Sequence, residues 1–340
     1  MIRFVVFVVA ALSLGGVPLM AGEPIDEAFV NAYDDAWRTQ VMDGPLAPIP
    51  STGGPPAVIS EGPPIYESVP IYTPAPGAPA FLENYCGPDD WTWQLLPQGV
   101  LYHTYWASAA EPRLSTQVVD ERGNGPYVDS HIGARLGLFR FGAKDRPEGW
   151  QFDILGGAKL RQNIGEELDV EAVDFRYDLL LTHAYGPHRW KFGFYHVSSH
   201  TGDEFLLKNP GYPRLNYFRD TFVMGYSYYV IPELRLYGEV GYAVHRDVSQ
   251  PLEIQFGIDY GPAYKTGPQG APFIALNGHL REEQNFGGNF AMQAGWAWKS
   301  DRFNDGILRT GLYLYDGASP QFSFYQRYER QVGIGLWYDY

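Results

Sequence analysis

From Val100 onward apolar and polar residues trade places at almost every step, in short segments broken by Gly, Pro, Asn and Asp. A period of two is the signature of β-strands. Val173, Phe175, Tyr177, Leu179 and Leu181 alternate with Asp174, Arg176 and Asp178. Leu252, Ile254, Phe256 and Ile258 alternate in the same way with Glu253, Gln255 and Asp259, and Phe290, Met292, Trp296 and Trp298 with Ala291, Gln293, Gly295 and Lys299. With Val100–Trp106 as the first, the pattern predicts about twelve strands. The others lie near 131–138, 152–159, 173–181, 189–194, 223–228, 234–242, 252–259, 273–280, 290–299, 308–314 and 331–340.

One face of these strands is aliphatic and aromatic, and the other holds Gly and charges of both signs. A soluble sandwich also alternates, but its solvent face rarely carries so much Gly. A barrel in an outer membrane turns apolar residues to lipid and polar ones to the lumen, with spans of ~9–11 residues. The expected fold is therefore all-β, an antiparallel transmembrane β-barrel of about 12 strands. A secreted soluble β-protein is the alternative. Loop lengths suggest an orientation. The tight turns at 185–188 and 231–233 would be periplasmic, and 108–129 and 199–219 would be long external loops. The lumen charges, Arg135, Lys159, Arg176, Arg235 and Arg309 against Asp153, Asp174, Asp178, Glu239 and Glu253, suit mutual pairing better than a selective pore.

The segment before the strands reads differently. Met1–Ala21 carries Arg3, an apolar core from Val5 to Leu14 and a Leu19-Met20-Ala21 cleavage site, the layout of a secretory signal peptide. No Cys follows that site, which argues against a lipoprotein anchor. Ile25, Phe29, Tyr33, Trp37 and Val41 are four apart, so an amphipathic helix is expected within 22–44. Residues 45–79 include 11 prolines in 35 positions, and 45–88 is expected to be an extended linker. The barrel domain is then 89–340, with the N-terminal region in the periplasm.

Composition narrows the function classes. The 340 residues carry a net charge of −14, which argues against a nucleic-acid partner. One cysteine, Cys86, excludes a disulfide scaffold or a multi-cysteine zinc site, and its role is open. Aromatic residues make up 16 % and charged residues only 19 %, below the ~25 % of soluble proteins. That balance gives the chain much apolar surface to place, and outer-membrane lipid is the expected partner. Val332, Ile334, Leu336, Tyr338 and Tyr340 put an apolar residue at every second place up to the last one. This resembles the terminal strand that the barrel assembly machinery of bacterial outer membranes reads, so that machinery is a second expected partner.

One stretch carries candidate chemistry: Tyr195-His196-Val197-Ser198-Ser199-His200-Thr201-Gly202-Asp203-Glu204. Here the chain resembles outer-membrane phospholipase A, whose family has His-x-Ser-Asn-Gly at the external end of a strand in a twelve-stranded barrel. The resemblance implies His196 as general base, Ser198 as nucleophile and a later amide, Asn216, orienting the imidazole. Parity puts Trp190, Phe192, Phe194, His196 and Ser198 on one face, the lipid face, where a lipid hydrolase needs its nucleophile. Ser199 stands where that family has Asn, and His200-Thr201 precede Gly202. Under the hydrolase reading Asp203 and Glu204 are candidate Ca²⁺ ligands; otherwise no cofactor is expected. A longer resemblance rests on TWQLLPQGVLYHTYWAS, YHVSSHTGDEF, LRLYGEVGYA, HLREEQNFGG and QVGIGLWYDY. These phrases are similar to a bacterial family of unknown function, number 1207, over about 91–340. That resemblance implies a shared fold and export and no activity. The functional expectations are thus an exported outer-membrane barrel with a structural or narrow-channel role, an acyl-ester hydrolase built on a Ser–His pair, or a secreted soluble protein.

Overall fold

The structure, a computed structural model, describes residues 90–300 and 306–340. The expected signal peptide (1–21), helix (22–44), linker (45–88) and Cys86 lie outside the described residues. The described part belongs to one compact unit, Ser68–Tyr340.

Among the described residues thirteen strands follow one another: β1 (Thr92–Leu95), β2 (Leu114–Glu121), β3 (Asn124–Gly142), β4 (Gly149–Asn163), β5 (Asp169–Tyr185), β6 (His188–Thr201), β7 (Tyr217–Ile231), β8 (Leu234–Arg246), β9 (Leu252–Tyr260), β10 (Ala271–Arg281), β11 (Gly288–Lys299), β12 (Ile307–Ala318) and β13 (Tyr328–Asp339). A short helix, α1 (Asp203–Lys208), lies between β6 and β7. From β2 to β13 each strand pairs antiparallel with the next, and β13 pairs back onto β2, from Tyr338 opposite Leu114 to Gln331 opposite Glu121. The result is a closed barrel of twelve strands, with β1 added to the end of β3. Closure leaves the barrel strands no open edge. No helix among the described residues is long and apolar enough to cross a membrane.

The strand count agrees with the alternation, but one strand is not where the pattern placed it. Val100–Trp106 is not a strand. It belongs to a strap, residues 96–113, that runs inside the lumen. Its β-branched and aromatic residues have strand propensity, yet Val100, Leu101, Tyr102, Thr104 and Tyr105 are all buried, so no face alternates. The first barrel strand is instead β2, inside the segment expected to be an external loop (108–129). It joins β3 through the two-residue connection 122–123. Its face pattern was faint because Ser115, Thr116 and Gln117 put polar groups on both sides.

Sidedness is inverted relative to a soluble protein. Ile334 is 63 % exposed and Phe222 56 %, whereas Arg309 and Asp153 are fully buried. Every strand from β2 to β13 turns apolar residues outward. The lumen holds ion pairs. Arg135 meets Asp153 at 2.7 Å, Lys159 meets Asp174 at 3.0 Å, Arg176 meets Asp178 at 2.6 Å, and Arg235 pairs with Asp259. Arg161 forks onto Asp129 and Glu329, joining β3, β4 and β13. The expected pairing of lumen charges is what the interior shows.

The strap makes no ladder, so its carbonyls need other donors. Inward cations supply them. Arg140 donates to the Gln98 and Gly99 carbonyls, Arg135 to Tyr102, Arg235 to His103 and Thr104, and Arg309 to Trp106. Lys191 pairs with Glu111 at 3.0 Å and with Glu239. Burial alone would push the Glu111 carboxyl up, but Lys191 and Arg176 outweigh it and hold the group below the usual carboxylate range. Tyr105 stacks on Tyr237 with ring centres 4.0 Å apart. Gly225 makes room for this contact, since a Cβ there would stand 2.9 Å from the Tyr105 hydroxyl.

We call the end of the barrel holding Tyr340 lower and the opposite end upper. The lower connections among the described residues are 143–148, 186–187, 232–233 and 261–270, and the upper ones 122–123, 164–168, 202–216, 247–251, 282–287 and 319–327. The longest, 202–216, is upper and matches the expected long loop at 199–219, but short and long connections occur at both ends. The upper mouth is closed by 319–327, where Phe322, Ser323 and Phe324 are buried and Phe322 stacks on Tyr217 at 5.0 Å. A vestibule of about 580 Å³ at the lower end reaches the strap, with Gln98, Gly99 and Trp106 in its lining.

Candidate functional site

Along β6 the odd positions Lys191, Tyr195, Val197, Ser199 and Thr201 are buried in the lumen, and the even ones face outward. His196, Ser198 and His200 therefore continue the outward row of Trp190, Phe192 and Phe194, as parity requires. Phe175 and Phe218 stand opposite Ser198 on the neighbouring strands, and Tyr177 and Asp220 stand opposite His196.

The hydrogen bonds sort these groups into two sets, a trio centred on Asp220 and the pair Ser198–His200. His196 Nδ1 lies 2.6 Å from Asp220 Oδ1, and His245 Nδ1 lies 3.0 Å from Asp220 Oδ2. An ionised carboxylate only accepts, so both imidazoles donate from Nδ1 and their Nε2 atoms are left as acceptors when neutral. The His196 ring lies on Tyr177, with centres 5.1 Å apart. Carboxylate and phenol ring together fix both tautomer and plane. Ser198 Oγ is 2.9 Å from His200 Nε2. The serine thus has an imidazole two residues away on either side, and in the structure its hydroxyl is turned to His200. A strand rises ~3.3 Å per residue, so His196 and His200 are about equally distant along the strand from Ser198, at ~6–7 Å.

His196 and Ser198 are thus together on the outer face. Asn216, just before β7, makes no side-chain hydrogen bond with either among the described residues, and the orienting position at Nδ1 is held by Asp220. Asp203 and Glu204 form the exposed first turn of α1. Among the described residues no three His, Cys, Asp or Glu side chains are grouped to hold a metal ion.

Sequence reasoning passed over Asp220, His200 and His245. For Asp220 a signal was present: it interrupts the outward row Phe218, Phe222, Met224 of β7 with a charge. For His245 there was none. It shares its facing with Asp220 only because β8 carries an extra residue, Val244, where Asp220 faces His245 but Thr221 faces Ala243.

The chain as a whole has relatives. The family model described as "Protein of unknown function (DUF1207)" matches residues 73–340, and the chain belongs to that family. No curated protein matches it. Among solved structures it is similar to the outer membrane phospholipase A from Escherichia coli, with 11 % identity over 67 % of this chain and 92 % of that one, at a TM-score of 0.42. It is similar also to the calcium-bound dimer of the Salmonella typhi outer membrane phospholipase, with 11 % identity over 69 % of this chain and 91 % of that one, again at 0.42.

Proposed function

We propose that this chain is an outer-membrane barrel protein that hydrolyses acyl esters of lipid at the upper rim of its outer face. The observation that carries the reading is a carboxylate-anchored imidazole two residues from a serine on the same strand, both turned outward at the upper edge of a face whose rows below them are apolar. Polar groups aimed at lipid cost free energy and mark function. The inverted sidedness supports the membrane itself. In this reading the lower end and the N-terminal region face the periplasm, and the assembly machinery reads the outward residues of β13. The strap across the lumen speaks against a conduit.

The steps follow from the geometry. Ser198 turns from His200 to His196, whose Nε2 takes the hydroxyl proton as Oγ attacks the ester carbonyl. The tetrahedral intermediate expels the alcohol, which takes that proton from His196, and an acyl-Ser198 remains. Water, giving a proton to His196, attacks the acyl carbonyl, and the fatty acid leaves with Ser198 restored. Asp220 holds the Nδ1–H tautomer and stabilises the imidazolium.

A structural role without chemistry is favoured by one observation, the resting bond of Ser198 to the exposed His200. Purified full-length protein in mixed micelles of phospholipid, assayed with and without Ca²⁺, separates the two. The hydrolase reading expects fatty-acid release that falls at least ~10²-fold in Asp220→Ala and is largely kept in His200→Ala. An inert wild type in both conditions contradicts it. The reverse ranking of the two variants would make His200 the base.

A further inference from the structure

The candidate site holds an imidazole with no task in the steps above. His245 lies on β8, and two strand spacings of ~4.8 Å separate β8 from β6, which carries Ser198. Phe218, opposite Ser198 on β7, packs its ring against the His245 imidazole with centres 4.9 Å apart and planes at 62°. His245 is therefore out of reach of the serine hydroxyl and is not its base.

What His245 does touch is Asp220. Oδ1 of that carboxylate accepts from His196 at 2.6 Å and Oδ2 accepts from His245 at 3.0 Å. Among the described residues no other side chain bonds Asp220. A carboxylate with one oxygen tied still turns about its Cβ–Cγ bond. With both tied its plane is set, and so is the direction from which Oδ1 meets His196 Nδ1. The two imidazoles are held alike, each by one carboxylate oxygen and one aromatic ring, Tyr177 for His196 and Phe218 for His245. The extra residue Val244 turns His245 outward to meet Asp220. An extra residue disrupts the ladder locally, and its use is to re-aim a side chain.

We propose that His245 is a positioning residue: it clamps the second oxygen of Asp220 and so holds the His196 imidazole in the orientation that proton transfer from Ser198 needs. The effect on rate rests on the hydrolase reading above; the clamp does not.

The test uses the full chain in the phospholipid micelles already described. His245→Ala should lower kcat about tenfold and leave KM within about twofold. His245→Asn, whose amide Nδ2 takes the place of the imidazole Nδ1, should restore kcat to within about threefold of wild type. The His245 side chain is 72 % exposed and outside the lumen network, so both variants should keep the mobility of the folded barrel on unheated gels. In NMR spectra of histidine-labelled protein, the His196 Nδ1 proton should exchange with water several-fold faster in His245→Ala than in wild type or His245→Asn. Full turnover in His245→Ala, an equal loss in His245→Asn, or a loss confined to KM would overturn the proposal; the last would put His245 in lipid binding. Unchanged proton exchange in His245→Ala would overturn it whatever the activity. An inert wild type whose exchange still responds as expected would sink the hydrolase reading and leave the clamp standing.

Discussion

Ser198→Ala should remove ester hydrolysis by at least about 10³-fold in kcat while leaving the barrel intact, because the nucleophile of a covalent mechanism has no substitute nearby. The hydroxyl is not part of the barrel's stability. Ser198 is on the outer face, its one side-chain hydrogen bond goes to exposed His200, and the lumen network runs through its inward neighbours Val197 and Ser199. Fatty-acid release should therefore vanish while resistance to unfolding, read on unheated gels, is unchanged. Ser199→Ala is the matched control with the opposite profile. Ser199 is fully buried, bonds Asp174 and Ser323, and should affect stability without touching the chemistry. Equal activity of wild type and Ser198→Ala would leave the outward polar row without a catalytic role.

The largest stability effect is expected at Arg161. Its guanidinium is 1 % exposed and makes two hydrogen bonds to Asp129, at 2.8 and 2.7 Å, and two to Glu329, at 3.0 and 2.9 Å. Arg161→Met keeps volume but leaves two carboxylates buried with no cation between them. Removing one partner of a buried pair costs about 3–5 kcal/mol. Urea titration of the reconstituted barrel, followed by intrinsic fluorescence, should show a loss of that size. Adding Asp129→Asn and Glu329→Gln to Arg161→Met should recover most of it, since the stranded charges are then gone. A loss below about 1 kcal/mol would mean that water reaches these carboxylates.

The barrel was legible because closure imposes a rule on every strand: one face to the outside, one to the lumen. Period two in β5, β9 and β11 expresses that rule directly, and so does β13, whose last residues pair with β2. The strap broke it for a physical reason. Val100–Trp106 has the residue types of a strand, but it lies in the lumen, where all sides are covered and side chains replace the ladder. Nothing local distinguishes a buried strap from a buried strand. The signal lies elsewhere, in the surplus of inward Arg whose extra donors reach strap carbonyls. At the candidate site, parity placed His196 and Ser198 because both belong to one strand. Asn216 enters only through the family resemblance, whereas the partner of His196 is set by register between β6 and β7, which brings Asp220 opposite. His245 depends on an extra residue in β8, and one extra residue has no periodic signature.

On the proposed reading the apolar outer face sits in an outer membrane with the charged lumen sealed inside. Fractionation of cells expressing the full chain, with each fraction run on gels with and without heating, tests it most directly. The mature protein is expected in the outer-membrane fraction, migrating faster unheated than heated because the closed barrel stays folded in detergent. Recovery in the soluble periplasmic fraction, with the same migration before and after heating, would contradict it.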